Sequence, residues 1–248
     1  MILLVFSAWA FAPVVEKLPG GEIDWTRQVL KAGASGAPTG GMGVIYEILE
    51  EDAQTRLGPM FLELSRRVQV TPTQTTGDLL EAENQLADRI DDNLSGWGVE
   101  EARYFASGRV ELDGTLSIPY LLRPALLAGA KGHEREGPPT LAVTGVIVDA
   151  RGFVLRPSFA PVLTAVDGTR IFELATLTTS APSPCVWVTD PADPVGVARG
   201  GDTPIFLRAV GVKDGEVVLS DEGVAALRVA AAGAPFLAHG QVVLVVDP

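Results

Sequence analysis

Residues 22–38 read EIDWTRQVLKAGASGAP, and residues 44–64 follow with VIYEILEEDAQTRLGPMFLEL. The first stretch is β-branched and aromatic over residues 23–33, then gives way to Gly, Ala and Pro as far as Gly43. That is the composition of a strand running into a loop. In the second stretch Val44, Ile45, Ile48, Leu49, Ala53, Leu57, Met60, Phe61 and Leu64 recur at helical spacing. Glu47, Glu50, Glu51, Asp52 and Arg56 fall mostly on the opposite face. Gly58-Pro59 removes a hydrogen bond to the preceding turn, so a kink is expected there.

Working outward, residues 68–71 are extended, and Thr75 or Thr76 caps a second helix carrying Leu79, Leu80, Leu86, Ile90 and Leu94. Gly96 and Gly98 end it. Residues 99–106 and 109–118 form a hairpin about Ser107-Gly108, and Pro119 and Pro124 close the region. The charged and Gly/Pro-rich run KGHEREGPP, residues 131–139, reads as a linker. Beyond it, residues 141–150 are strongly β-prone, residues 155–161 are loop, and Asp167-Gly168 marks a hairpin. Residues 181–201 read as loop around one short strand, 185–189. Residues 205–212 and 216–219 form a hairpin about Lys213-Asp214-Gly215. Ser220 caps a short helix over 221–232, with two acids in its first turn. The apolar run inside residues 241–247 predicts a strand buried on both faces.

The expected class is therefore α+β. An N-terminal β-α-α-β-β unit, residues 22–124, packs two helices on an antiparallel sheet. A linker at 125–140 leads to a mostly β, α+β domain at 141–248 with one short helix. The 248 residues and 47% apolar content supply ample core for this.

With 31 acidic against 19 basic residues, the net charge is −12, which repels nucleic-acid backbones and anionic lipid. Residues 1–12, MILLVFSAWAFA, are apolar, uncharged and end in an A-x-A pattern. They are too short to span a bilayer and read as a signal peptide, although no Lys or Arg precedes them and Pro13 follows the cut. The expectation is export, with a processed chain that has no transmembrane span.

Chemistry-bearing motifs are sparse. Cys185 is the single cysteine, so no internal disulfide forms, and Pro184 and Val186 beside it are not activating groups. His133 and His239 lack metal-ligand spacing. Asp88, Asp91 and Asp92 read as a solvated helix face rather than a calcium loop, and Asp190 and Asp193 as turn formers beside prolines. Gly33, Gly36, Gly40, Gly41 and Gly43 fit neither a P-loop nor a dinucleotide fingerprint. An enzymatic reading would rest on Asp149, Arg151 and Asp190, which show no nucleophile–base pair. No catalytic, metal or cofactor-binding residue is assigned, and no cofactor is expected. Trp25, Trp97 and Trp187 are candidate anchors for the core or for an interface.

Residues 22–38 resemble the opening strand of a family of small bacterial outer-membrane lipoproteins and their flagellar-assembly relatives, in which D/N-W-T leads through a Gly-Ala-Pro loop into a long helix. Residues 67–70 take the place of the family's V-x-V strand and residues 73–76 that of its T-T segment. Residues 86–98 resemble its second helix, and 101–116 its closing hairpin. Residues 144–172, TGVIVDARGFVLRPSFAPVLTAVDGTRIF, together with 219–232 and the closing VVLVVD, resemble an extension of longer members. The resemblance implies a non-enzymatic envelope protein, periplasmic or associated with the outer membrane. It implies action through protein contacts, homo-oligomerisation and, in relatives, ring assembly around the flagellar motor. Lipid-bearing members carry a Cys just after the signal sequence; this chain has none there. The alternative is a cell-wall or small-ligand binding module using a cleft between the two halves.

Overall fold

A computed structural model describes residues 11–37, 45–82, 84–127 and 143–248. Residues 1–10 of the expected signal peptide, residues 38–44 and the 131–139 linker with His133 lie outside these.

The DWTRQ segment turns out to be a turn rather than the middle of one strand. Chain order begins with β1 (Val15–Leu18), β2 (Gly21–Asp24) and β3 (Val29–Gly36), an antiparallel meander. Asp24 Oδ1 accepts a hydrogen bond from Arg27 N at 2.9 Å, and Gln28 adopts φ 57°. A short acceptor side chain that folds back on the backbone in this way reverses the chain. Composition alone hid this, because Trp25 and Thr26 are strand formers by propensity.

Next come α1 (Tyr46–Arg66), β4 (Gln69–Thr71), β5 (Gln74–Thr75), α2 (Thr76–Ala82) and α3 (Asn84–Leu94). Both helices fall within the expected second helix, and Glu83 between them lies outside the described residues. The predicted hairpin is β6 (Gly98–Tyr104) and β7 (Val110–Ser117). These strands complete a five-stranded antiparallel sheet in the order β1-β2-β3-β7-β6.

Helix α1 lies across this sheet and buries Leu49, Ala53, Leu57, Phe61 and Leu64. Ile45 and Ile48, expected in the stripe, stand exposed. Ile45 is the extended N-cap, and Ile48 is rotated about 100° from Leu49 around the helix axis. The helix runs unbroken through Pro59. It approaches β3 closely: a Cβ on Gly36 would lie 2.0 Å from Leu49 O. Trp97 is partly buried and stacks on Phe61, with ring centroids 5.8 Å apart.

A helix not anticipated, α4 (Ile118–Leu126), follows β7 directly. Ser117 Oγ accepts from Tyr120 N at 3.3 Å, and Pro119 sits in the first turn, where its missing N–H costs nothing. Of the two prolines that close the region by sequence, Pro119 starts this helix and Pro124 lies inside it.

The second half contains β8 (Val146–Asp149), β9 (Leu163–Ala165), β10 (Arg170–Phe172), a 3-10 turn at Leu174–Thr176, β11 (Val186–Val188) and α5 (Pro194–Gly200). It ends with β12 (Ile205–Lys213), β13 (Glu216–Leu219), α6 (Asp221–Gly233) and β14 (Val242–Val245). They build a seven-stranded mixed sheet, β10-β9-β13-β12-β8-β14-β11, in which β12, β8, β14 and β11 run parallel. The β12–β13 turn places Asp214 and Gly215 at φ 53° and 79°. Two consecutive left-handed residues match the twist of a two-residue hairpin.

Ser220 caps α6 as expected, its Oγ accepting from Gly223 N at 3.1 Å. A second helix, α5, joins α6 in this half. Asp193, buried, accepts from Val195 N at 2.8 Å and starts it. Every residue of β14 is buried, as a continuous apolar strand requires. One face of the sheet, with Ile147, Val186, Val188, Val243 and Val245, lies under α5. The opposite face carries Val146, Val148, Trp187, Val242 and Leu244 into a core shared with α6 and the N-terminal unit.

Candidate functional site

Asp149, Arg151, Asp190 and Asp193, singled out by sequence, are engaged in local structure. Asp149 ends β8, where its carboxylate receives Arg151 N, Nε and Nη2 at 3.1, 2.9 and 2.6 Å. Asp190 Oδ1 accepts from Ala192 N at 2.8 Å, and Asp193 caps α5. Asp88, Asp91 and Asp92 are exposed. Among the described residues no cluster of His, Cys, Asp and Glu is placed to hold a metal ion. Cys185 is fully buried, and burial pushes its thiol above the ordinary range, against the pull of Arg199. A buried neutral thiol is a poor nucleophile.

The Arg151 hydrogen bonds hold the Asp149 carboxyl below its ordinary range, against the opposing effect of desolvation. Between its folded and unfolded pKa values the unfolded chain binds more protons, so stability there rises with pH. The contribution is complete above the unfolded value, about 3.9, and disappears as pH falls through the folded one. Asp149→Asn should therefore flatten the acid limb of a urea-midpoint-versus-pH curve. An unchanged limb would show that the pair does not couple to folding.

The two halves meet along the outer rim of β11. Thr26 Oγ1 donates to Trp187 O at 2.7 Å, and Gln28 Nε2 donates to Cys185 O at 2.5 Å. Alternate carbonyls of an edge strand point away from the sheet, and here the turn residues satisfy them. Trp187 Nε1 donates to Ser158 O at 2.8 Å. Farther along, Phe159 N and Ala160 N donate to Gln69 O and Val70 O at 2.8 and 2.7 Å. Trp25 and Trp187 are both buried. The DWT segment thus serves as a seam. No sequence pattern revealed this, since the partners lie some 160 positions apart.

Two cavities open along that seam. One, about 470 Å3, lies between α4 and Thr179, where Arg123 Nη2 donates to Thr179 O at 3.0 Å. The other, about 420 Å3, lies between the β4–β5 hairpin and the β12–β13 turn. In it Arg170 is already paired with Glu173 and Glu216, each at 3.0 Å.

The α5 face is different in kind. Helix α5 covers β11 and β14 and reaches Ile147 of β8. Beyond it, Phe206 of β12 stands level with Ile147 in the sheet register, 66% exposed, and Val210 is 52% exposed. Between them Arg208 lies beside Asp149. Val197 on α5 is also exposed. The alternation of exposed and more buried residues along β12 from Ile205 to Val210 is what sets this surface apart.

Residues 145–248 match the family model described as Treponema pallidum Tp0624, second domain. The matched stretch takes in the whole seven-stranded sheet with α5 and α6, so the similarity concerns this half of the chain. No curated protein matches. Among the described residues no helix is long and apolar enough to cross a membrane.

Proposed function

We propose that the chain is a non-enzymatic envelope protein that works by protein contact, first of all with a second copy of itself. The observation that carries this reading is the bare β12 face. Phe206 and Val210 present apolar surface next to α5, with Arg208 exposed between them and Asp149, already paired with Arg151, beside it. An exposed apolar patch rimmed by charge is suited to two-fold self-association, in which the same patch on each copy meets the other. The resemblance of residues 22–38 to envelope lipoproteins and flagellar-assembly relatives supports placing it in the periplasm or at the outer membrane. The apolar residues 1–12 support export.

The test is light scattering coupled to size exclusion. The chain should run as a dimer or larger species, and Phe206→Asp should shift it to monomer with an unchanged far-ultraviolet dichroism spectrum, since the side chain is exposed in the monomer. A wild-type monomer at high micromolar concentration would overturn the self-association. N-terminal sequencing of periplasmic material that found Met1 retained would overturn cleavage of the leader.

The alternative, a ligand module at the junction of the halves, draws on the two seam cavities. A shift in melting temperature with cell-wall fragments, lost on filling the α4 cavity with Thr179→Trp, would favour it.

A further inference from the structure

We propose that the groove between α5 and residues 182–186 binds a carboxylate carried on a small apolar body, with Arg199 as its anchor. Arg199 lies in the last turn of α5 and is partly buried. Its Nη1 donates to Ser183 O at 3.2 Å and to Gly240 O at 3.1 Å, and its Nη2 donates to Ser183 Oγ at 2.7 Å. All three acceptors are neutral. Arg103, Arg151, Arg156 and Arg170 each pair with a carboxylate, whereas Arg199 meets none among the described residues. In a chain where acids outnumber bases 31 to 19, a half-desolvated guanidinium without an acid is unexpected. Desolvating a charge is costly unless an opposite charge or a full set of hydrogen bonds offsets it. Two of its five N–H groups, Nε and the second hydrogen on Nη2, have no acceptor among the described residues.

The surroundings define the ligand. Arg199 lines an open cavity of about 500 Å3 with Pro182, Val186, Pro194, Val195 and Ala198 as apolar walls and Gln241 as the other polar group. Among the described residues no acidic side chain lines it. The volume suits a ligand of small size. Three hydrogen bonds hold the guanidinium fork in place, so little orientational freedom remains to be lost on binding. A planar carboxylate matches the fork. The apolar walls favour an acid with a hydrocarbon body over a strongly hydrated inorganic anion. Gln241 offers an amide to a neighbouring peptide group. Both a short free acid and a chain-terminal carboxylate share this chemistry.

A purely structural Arg199, tying the Ser183 and Gly240 loops together, predicts no ligand at all, and the experiment separates the two. The full chain is titrated with N-acetyl-Ala-Ala, with its C-terminal amide and with isobutyrate, and backbone amide resonances of α5 and residues 182–186 are followed. The dipeptide acid should bind, and the amide should bind at least tenfold more weakly. Arg199→Lys, which keeps the charge but loses the fork, should weaken the acid at least tenfold. Because a change at Arg199 also alters the ties to Ser183 and Gly240, Ala198→Glu supplies the second variant. It places a carboxylate beside the guanidinium and should abolish binding with the melting temperature unchanged or raised. Isobutyrate binding as tightly as the dipeptide identifies a free acid as the ligand source; markedly weaker isobutyrate identifies a chain terminus. Equal binding of acid and amide, or no response of the α5 resonances to either acid, overturns the proposal. The groove is distinct from Phe206 and Val210, so loss of self-association in Phe206→Asp leaves this result unaffected.

Discussion

Trp187→Ala should lower stability by about 4 kcal/mol, as fully buried aromatic truncations do. Its indole has no exposed surface and donates to Ser158 O, and its own carbonyl receives Thr26 Oγ1. The residue therefore belongs to the seven-stranded sheet, to the 158–160 loop and to the seam with the N-terminal turn. A cavity at this point weakens all three together. Urea unfolding followed by tryptophan fluorescence and by far-ultraviolet dichroism should give coincident transitions in the wild type and separated ones in the variant, as the seam loosens before the sheets. A loss below about 1.5 kcal/mol, the range of a tolerated hydrophobic swap, would show that the core collapses around the gap and that the seam does not depend on this side chain.

Gly36→Ala is the second large effect, at about 3 kcal/mol, the upper range of overpacking. An added methyl group would sit 2.0 Å from Leu49 O and 2.8 Å from its carbonyl carbon, both backbone atoms of α1. No rotamer change relieves a clash between backbone atoms. Either α1 lifts from β3 or the end of β3 peels away from Val110 of β7. Hydrogen exchange at the Leu49–Ala53 amides should accelerate, and the denaturant midpoint should fall. An unchanged midpoint would mean that the close approach of helix and strand does not bear on stability.

The parts of the fold visible in sequence were those where one local rule dominated. Ser220 with two following acids announced α6, Asp214-Gly215 announced a tight hairpin, and VVLVV announced a strand buried on both sides. The parts that stayed hidden depended on context. Pro119 and Pro194 break helices in the interior but begin them at the first turn, and only the caps from Ser117 and Asp193 decide which. Trp25 and Thr26 favour a strand by propensity, yet Asp24 folds back on Arg27 and reverses the chain. The seam depends on Thr26 and Gln28 meeting Trp187 and Cys185, a pairing across the length of the chain that no local pattern encodes. Arg199 is hidden for a related reason. An arginine in a Pro/Gly-rich segment looks like surface charge until the neutral company it keeps is visible.

The cap that the N-terminal turn sets on β11 has a consequence for how this architecture can be divided. A piece cut at the start of β8 would keep all seven strands and yet strip the Trp187 and Cys185 carbonyls of their N-terminal donors and lay open an indole-bearing margin. Such a margin invites another chain to zip onto it. The N-terminal turn therefore guards that edge, and the second half made on its own would need another cover for it.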